Sequence, residues 1–158
     1  VGGDSAGGNL AAVLAFDVRG DATTPCAQLL VYPAVDFTMS FPSHETLGKG
    51  FFLEDAHIRY YRATYLAGAD MRDPRASPWF RDDLSGLPPA VVVTAGFDPL
   101  RDEGDAYGER LKAAGVEVSS FSPPDLFHGF WNCAGCLPRA RAAIEEALAA
   151  LRPRLLRG

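Results

Sequence analysis

The run Ala90-Val91-Val92-Val93-Thr94-Ala95-Gly96 holds an unbroken β-branched core and no polar side chain before Thr94. Such a strand has no face to give to water, so it predicts a strand buried on both sides, as in a parallel sheet covered by helices. The flanking sequence fits that frame. A helix is expected over 9–18, with Leu10, Val13 and Leu14 at helical spacing, and a short buried strand over 26–32, closed by Pro33. After the valine strand, a helix over 101–114 carries Tyr107, Leu111 and Ala114 on one stripe and stops at Gly115. The alternating stretch 116–121 predicts an edge-like strand, and 122–132 a loop. A last helix over 138–151 has Ala140, Ile144, Ala147, Leu148 and Leu151 on one face, with its arginines outside. Helices and strands alternate in the βαβ manner, which predicts an α/β domain with a parallel sheet and helices on both faces.

The stretch between the two buried strands interrupts this rhythm. Over 36–87 the chain is rich in aromatics (Phe37, Phe41, Phe51, Phe52) and includes a helix over 54–66 with Ile58, Tyr61 and Tyr65 on one face. An insertion of that length and composition is expected to form a lid or pocket wall, although aromatics at helical spacing also fill cores. The 158 residues fit within one domain, of which 1–158 is expected to be the C-terminal portion, with this insertion over 36–87 included as part of a lid.

A charged fraction of 22% and a net charge of −5 give no footprint for nucleic acid or an anionic membrane, so a small-molecule ligand is expected. No stretch is apolar enough to span a bilayer and no leader peptide is visible, which predicts a cytoplasmic protein. Cys26, Cys133 and Cys136 make an odd, sparse set, unlike a disulfide framework. Cys133 and Cys136 have C-x-x-C spacing, but no second pair is present to complete a zinc site, and no metal is expected.

Chemistry enters with Gly3-Asp4-Ser5-Ala6-Gly7, a Gly-x-Ser-x-Gly frame. In such an elbow a strand turns into a helix within a few residues, and the serine hydroxyl projects from a strained turn. The competing reading is a glycine-rich loop in which Asp4 or Ser5 caps the helix. The rest of the chain favours the elbow. In an open α/β sheet, functional groups gather beyond the carboxyl ends of strands. Three candidates stand there: Ser5, Asp98 after the valine strand, and His128 in the loop after the edge strand. A serine hydroxyl needs a base to accept its proton, imidazole suits that task near neutral pH, and a carboxylate fixes the imidazole tautomer. Asp102, Asp105 and Asp125 compete with Asp98, but Asp98 lies directly beyond the strand. His44 and His57 both fall in the insertion, where surface positions are expected. The chain order serine, acid, histidine is that of α/β-hydrolases.

Together with Tyr32-Pro33, Ala76-Ser77-Pro78, Leu84-Ser85-Gly86-Leu87-Pro88-Pro89, Asp98-Pro99-Leu100-Arg101-Asp102-Glu103-Gly104 and Phe127-His128-Gly129-Phe130, the segment from Gly3 to Leu10 resembles the hormone-sensitive-lipase-like esterases and lipases. The resemblance implies an α/β-hydrolase fold, a nucleophile at Ser5, an acid at Asp98, a base at His128 and a partial cap from the insertion, with no cofactor. The family's His-Gly-Gly-Gly oxyanion segment precedes the elbow and is not among these residues. Further strands are expected upstream, and the amide of Ala6 is the oxyanion donor expected here. Without the missing donors, the chain alone is expected to be a poor catalyst. The implied reaction is hydrolysis of a short- to medium-chain ester through an acyl-serine. A serine peptidase on the same fold and a non-catalytic small-molecule-binding relative are the alternatives.

Overall fold

In the computed structural model, which describes residues 1–156, a four-stranded parallel sheet has the order β1 (Gly2–Asp4), β2 (Gln28–Val31), β3 (Ala90–Val93) and β4 (Val118–Phe121). The register aligns Gly3 with Leu30, Leu30 with Val92 and Val92 with Ser120. Alternation along the strands divides the core into two layers. Leu30, Ala90 and Val92 pack with helix α1 (Ala6–Asp17) and helix α4 (Arg101–Ala113). Val31, Val91 and Val93 face the other way, onto helix α5 (Pro138–Leu155). The valine strand is covered on both faces, as its sequence requires.

Helix α1 buries a different face from the one its leucines suggest. Leu10 and Leu14 are 56% and 47% exposed, whereas Ala11, Ala12 and Ala15 are buried. Small side chains let the helix axis come close to the sheet, so the alanines form the seam. Helix α5 runs past the expected end at 151, and Arg154 in that extension turns inward. That guanidinium is buried and pairs with Glu117 at 2.9 Å and the Ser119 hydroxyl at 3.1 Å, both near β4. The insertion contains helix α2 (Ser43–Leu47), not foreseen from sequence, and helix α3 (Asp55–Leu66). Short 3₁₀ turns occupy Pro78–Phe80 and Phe130–Cys133. The three cysteines are free thiols, and no helix among the described residues is long and apolar enough to cross a membrane.

Leu111 on α4 is fully buried against Leu30 and Val92. Leu111→Ala is expected to lower unfolding stability by about 2–5 kcal/mol, the usual cost of opening a cavity in a close-packed core. Denaturant titration of the full-length protein measures it, and a change below about 1 kcal/mol would show that the layer collapses around the gap.

Candidate active site

Ser5 stands at the junction of β1 and α1 with φ 55° and ψ −118°. A non-glycine residue in this region costs on the order of 1–3 kcal/mol and persists only where its surroundings over-determine it. Here the Ser5 amide donates to the Val31 carbonyl at 2.9 Å, and the Ser5 carbonyl accepts from Asn9 N at 3.1 Å and Ala34 N at 3.4 Å. The backbone is pinned on both sides. Gly3 makes this possible, because a Cβ there would lie 2.3 Å from the carbonyl carbon and oxygen of Gly7. On the far side of the serine the crowded glycine is Gly8, not Gly7. A Cβ on Gly8 would stand 2.9 Å from the Cβ of Pro33, while one on Gly7 would meet nothing within 4 Å among the described residues.

Although Ser5 holds the N-cap position of α1, its hydroxyl makes no capping bond. Instead Ser5 Oγ lies 2.9 Å from His128 Nε2, and His128 Nδ1 lies 2.8 Å from Asp98 Oδ2. An ionised carboxylate only accepts, so Nδ1 carries the proton and Nε2 is left to accept from the serine hydroxyl. The second oxygen of Asp98 accepts from Leu100 N at 2.8 Å, and the carboxylate is fully buried. The structure thus joins the three residues singled out from sequence in one chain of hydrogen bonds.

The sheet explains why acid and histidine arrive together. Beyond β3 and β4 the two strands keep pairing: Gly96 N donates to Pro123 O and Phe97 N to Leu126 O, both at 2.9 Å. The ladder carries the 97–98 and 127–128 segments forward side by side. It depends on Gly96, where a Cβ would stand 2.1 Å from the Pro124 carbonyl oxygen. The competing acids serve elsewhere. Asp102 lies in the first turn of α4, Asp105 accepts from the Thr94 hydroxyl at 2.7 Å, and Asp125 pairs with Arg139 at 2.9 Å.

Several neighbours of the site were not assigned a role from sequence. Tyr32, fully buried, lays its ring against that of His128 with centroids 4.5 Å apart, and its hydroxyl donates to Asp4 Oδ2 at 3.3 Å. Burial, and then the Asp4 charge, push the phenol well above its ordinary pKa, so it stays a neutral donor. Asn9, also buried, donates to Ala34 O and to Ala76 O, both at 2.6 Å, tying α1 to the residues just before the insertion and to a point late within it. The signal for Asn9 was a lone amide on a face of glycine and alanine. His57 is exposed, as expected, but His44 is not. It is 4% exposed and its Nε2 lies 2.9 Å from Glu103 Oε2, because α2 folds inward onto the start of α4.

An apolar pocket of about 170 Å³ opens beside Ser5, walled by Leu10, Phe37, Leu53, Ile58, Tyr61 and Tyr65. The amphipathic stripe of α3 therefore faces this pocket. Tyr61 and Tyr65 are 59% and 55% exposed, which decides against a core-filling role for them. Ala6 is the first residue of α1, so its amide has no partner within the helix and stands at the positive end of the helix dipole.

The profile of the alpha/beta hydrolase fold family matches residues 1–132. The carboxylic ester hydrolase LipN of Mycobacterium tuberculosis is 43% identical to this chain, with 99% of this chain covered. The carboxylesterase NlhH of the same organism is 41% identical over 96%. A thermostable esterase from Pseudomonas putida superposes with a TM-score of 0.90 at 37% identity, covering 98% of this chain. In each case the chain spans about half of its relative: 44%, 49% and 50% respectively. The parallel sheet, the elbow and these likenesses agree, and the chain belongs to the α/β-hydrolase fold family, in its hormone-sensitive-lipase-like branch.

Proposed function

We propose that the protein carrying this chain hydrolyses carboxylic esters, with Ser5 as nucleophile, His128 as base and then acid, and Asp98 as the group that orients the histidine. The observation that supports it is the continuous contact from Ser5 Oγ through the imidazole to the buried Asp98 carboxylate. Ser5 Oγ attacks the ester carbonyl while His128 Nε2 takes its proton. Asp98 stabilises the imidazolium that results. The carbonyl oxygen gains the negative charge, and the Ala6 N–H at the start of α1 faces it together with the helix dipole. The tetrahedral adduct then collapses. His128 returns the proton to the departing alcohol, an acyl group remains on Ser5, and water activated by the same imidazole releases the carboxylic acid.

The pocket supports the choice of substrate. Its walls offer almost no polar surface, so burying a charged acyl or alcohol group there would cost desolvation with no partner to offset it. A short- to medium-chain neutral ester fits. The stretch 36–87 acts as part of a cap in this reading, since Phe37, Leu53, Ile58, Tyr61 and Tyr65 all belong to it. Three free thiols suit a reducing, cytoplasmic compartment. The chemistry requires no cofactor.

A fluorophosphonate probe tests the assignment directly. The full-length protein is expected to take up one phosphonyl group on Ser5, found by peptide mass mapping, and to lose hydrolysis of a p-nitrophenyl butyrate reporter in proportion. Labelling at another residue, or full labelling with unchanged turnover, would sink it.

A further inference from the structure

The hydrogen-bonded chain of the site leaves α2 without a task, yet two of its side chains are buried. Ser43 Oγ donates to Pro99 O at 2.7 Å and accepts from Asp102 N at 3.2 Å, so it brackets the loop that carries Asp98. His44, the next residue, meets Glu103 through Nε2 at 2.9 Å. Glu103 is 1% exposed, and its other oxygen accepts from Val35 N at 2.7 Å and Asp36 N at 3.1 Å, where the chain leaves β2. A carboxylate so deep in the fold is stable only with such partners.

The opposite edge of the His44 ring faces the insertion. Its Nδ1 stands 3.5 Å from Asp55 Oδ1, at the first residue of α3. That is close enough for charges to attract, but neither atom has an aligned hydrogen bond among the described residues. The approach is built into the chain. A Cβ on Gly48 would lie 2.3 Å from the His44 carbonyl and 3.2 Å from the Asp55 side chain, so only glycine lets α3 begin this near. Asp55 N donates to Gly48 O at 2.9 Å, which closes the same turn. From this first residue, α3 runs on to Ile58, Tyr61 and Tyr65, three walls of the pocket.

We propose that His44 is a positioning residue for the reaction at Ser5: while Ser43 beside it holds the loop bearing Asp98, His44 ties the helix lining the pocket to one buried carboxylate, Glu103. This rests on the ester-hydrolase reading of the same site. The groups facing the ring are Glu103 from α4 and Asp55 from α3. Burial alone would lower the basicity of His44. The Glu103 contact and charge, with Asp55 behind them, outweigh burial and hold its pKa above the ordinary histidine value, while burial pushes the Glu103 carboxyl up against the pull of His44. A group whose folded pKa is raised contributes its attraction at low pH and loses it as pH rises through that pKa. The hold on α3 therefore weakens on the alkaline side of the ordinary histidine range, and the pocket loosens before the chemistry does.

The test is steady-state kinetics of the full-length protein on p-nitrophenyl butyrate from pH 6 to 9, with Asp55→Asn, His44→Gln and Arg59→Gln. Arg59 pairs with the outer oxygen of Asp55 at 3.0 Å and serves as the control. Asp55→Asn is expected to raise KM about three- to tenfold near neutral pH, with kcat within about twofold, the size of a partly exposed ion pair. It should also remove the rise of KM with pH that is expected of the unsubstituted protein. His44→Gln is expected to raise KM alike and to lower kcat about tenfold, because Ser43 shares its turn. Unchanged KM and an unchanged pH profile in Asp55→Asn overturn the proposal, even if His44→Gln fails to fold. A KM shift reproduced by Arg59→Gln overturns it too. Failure of the ester-hydrolase reading looks different, since Ser5→Ala would then retain turnover whatever these variants do.

Discussion

Ser5→Ala in the full-length protein is expected to lower kcat on p-nitrophenyl butyrate by about 10⁴- to 10⁶-fold while leaving KM within a fewfold of its starting value. The asymmetry follows from where the hydroxyl acts. In the proposed reaction Ser5 supplies the bond-forming atom, and the walls of the pocket beside it belong mainly to the insertion. Adding His128→Ala to Ser5→Ala should cost almost nothing more, because the two residues are useful only as a unit. Alanine at position 5 still has to adopt φ 55°, so thermal stability should hardly move. A loss of less than tenfold, or a double variant much slower than either single one, would refute the assignment.

The second large effect comes from a residue with no side chain at all. Gly96→Ala is expected to destabilise the fold by about 2–4 kcal/mol and to reduce turnover by more than about 10²-fold. The added methyl would be driven to 2.1 Å from the carbonyl oxygen of Pro124, 2.4 Å from its carbonyl carbon and 2.6 Å from its Cα. These are main-chain atoms, so no rotamer change relieves the clash. Relief requires the 122–128 loop to retreat, which breaks the Gly96–Pro123 bond and draws His128 off both Ser5 and Asp98. Gly135→Ala is the control, because a Cβ there meets nothing within 4 Å among the described residues and should change stability by less than about 0.5 kcal/mol. Equal behaviour of the two variants, in urea titration and in kcat, would remove the argument.

How far the sequence reached depended on what kind of information each residue carries. The valine strand announces its double burial through side chains that suit no other setting, and Ser5, Asp98 and His128 were legible because strand ends place them. Misreadings arose where burial is decided by partners far along the chain. Leu10 and Leu14 have the spacing of a core stripe, yet close approach to the sheet selected the alanines beside them. His44 looked like a surface residue because its burial requires Glu103, fifty-nine positions later, and nothing local signals the pairing. Arg154 lies past the expected end of the last helix, and nothing local signals its burial, since its partners Glu117 and Ser119, the latter in β4, are more than thirty positions earlier. Helix α2 is too short for a hydrophobic period to register at all.

Asn9 has a consequence of another order. By holding the carbonyls of Ala34 and Ala76 on one amide nitrogen, it draws the two ends of the intervening stretch together at its base, four residues beyond Ser5. A segment clasped at its root can change length and content while the root stays put. Each doubling of such a loop adds only about 0.6 kcal/mol of closure entropy. The clasp makes the pocket wall an exchangeable part: the segment between Ala34 and Ala76 can vary in length and content while Ser5 keeps its setting.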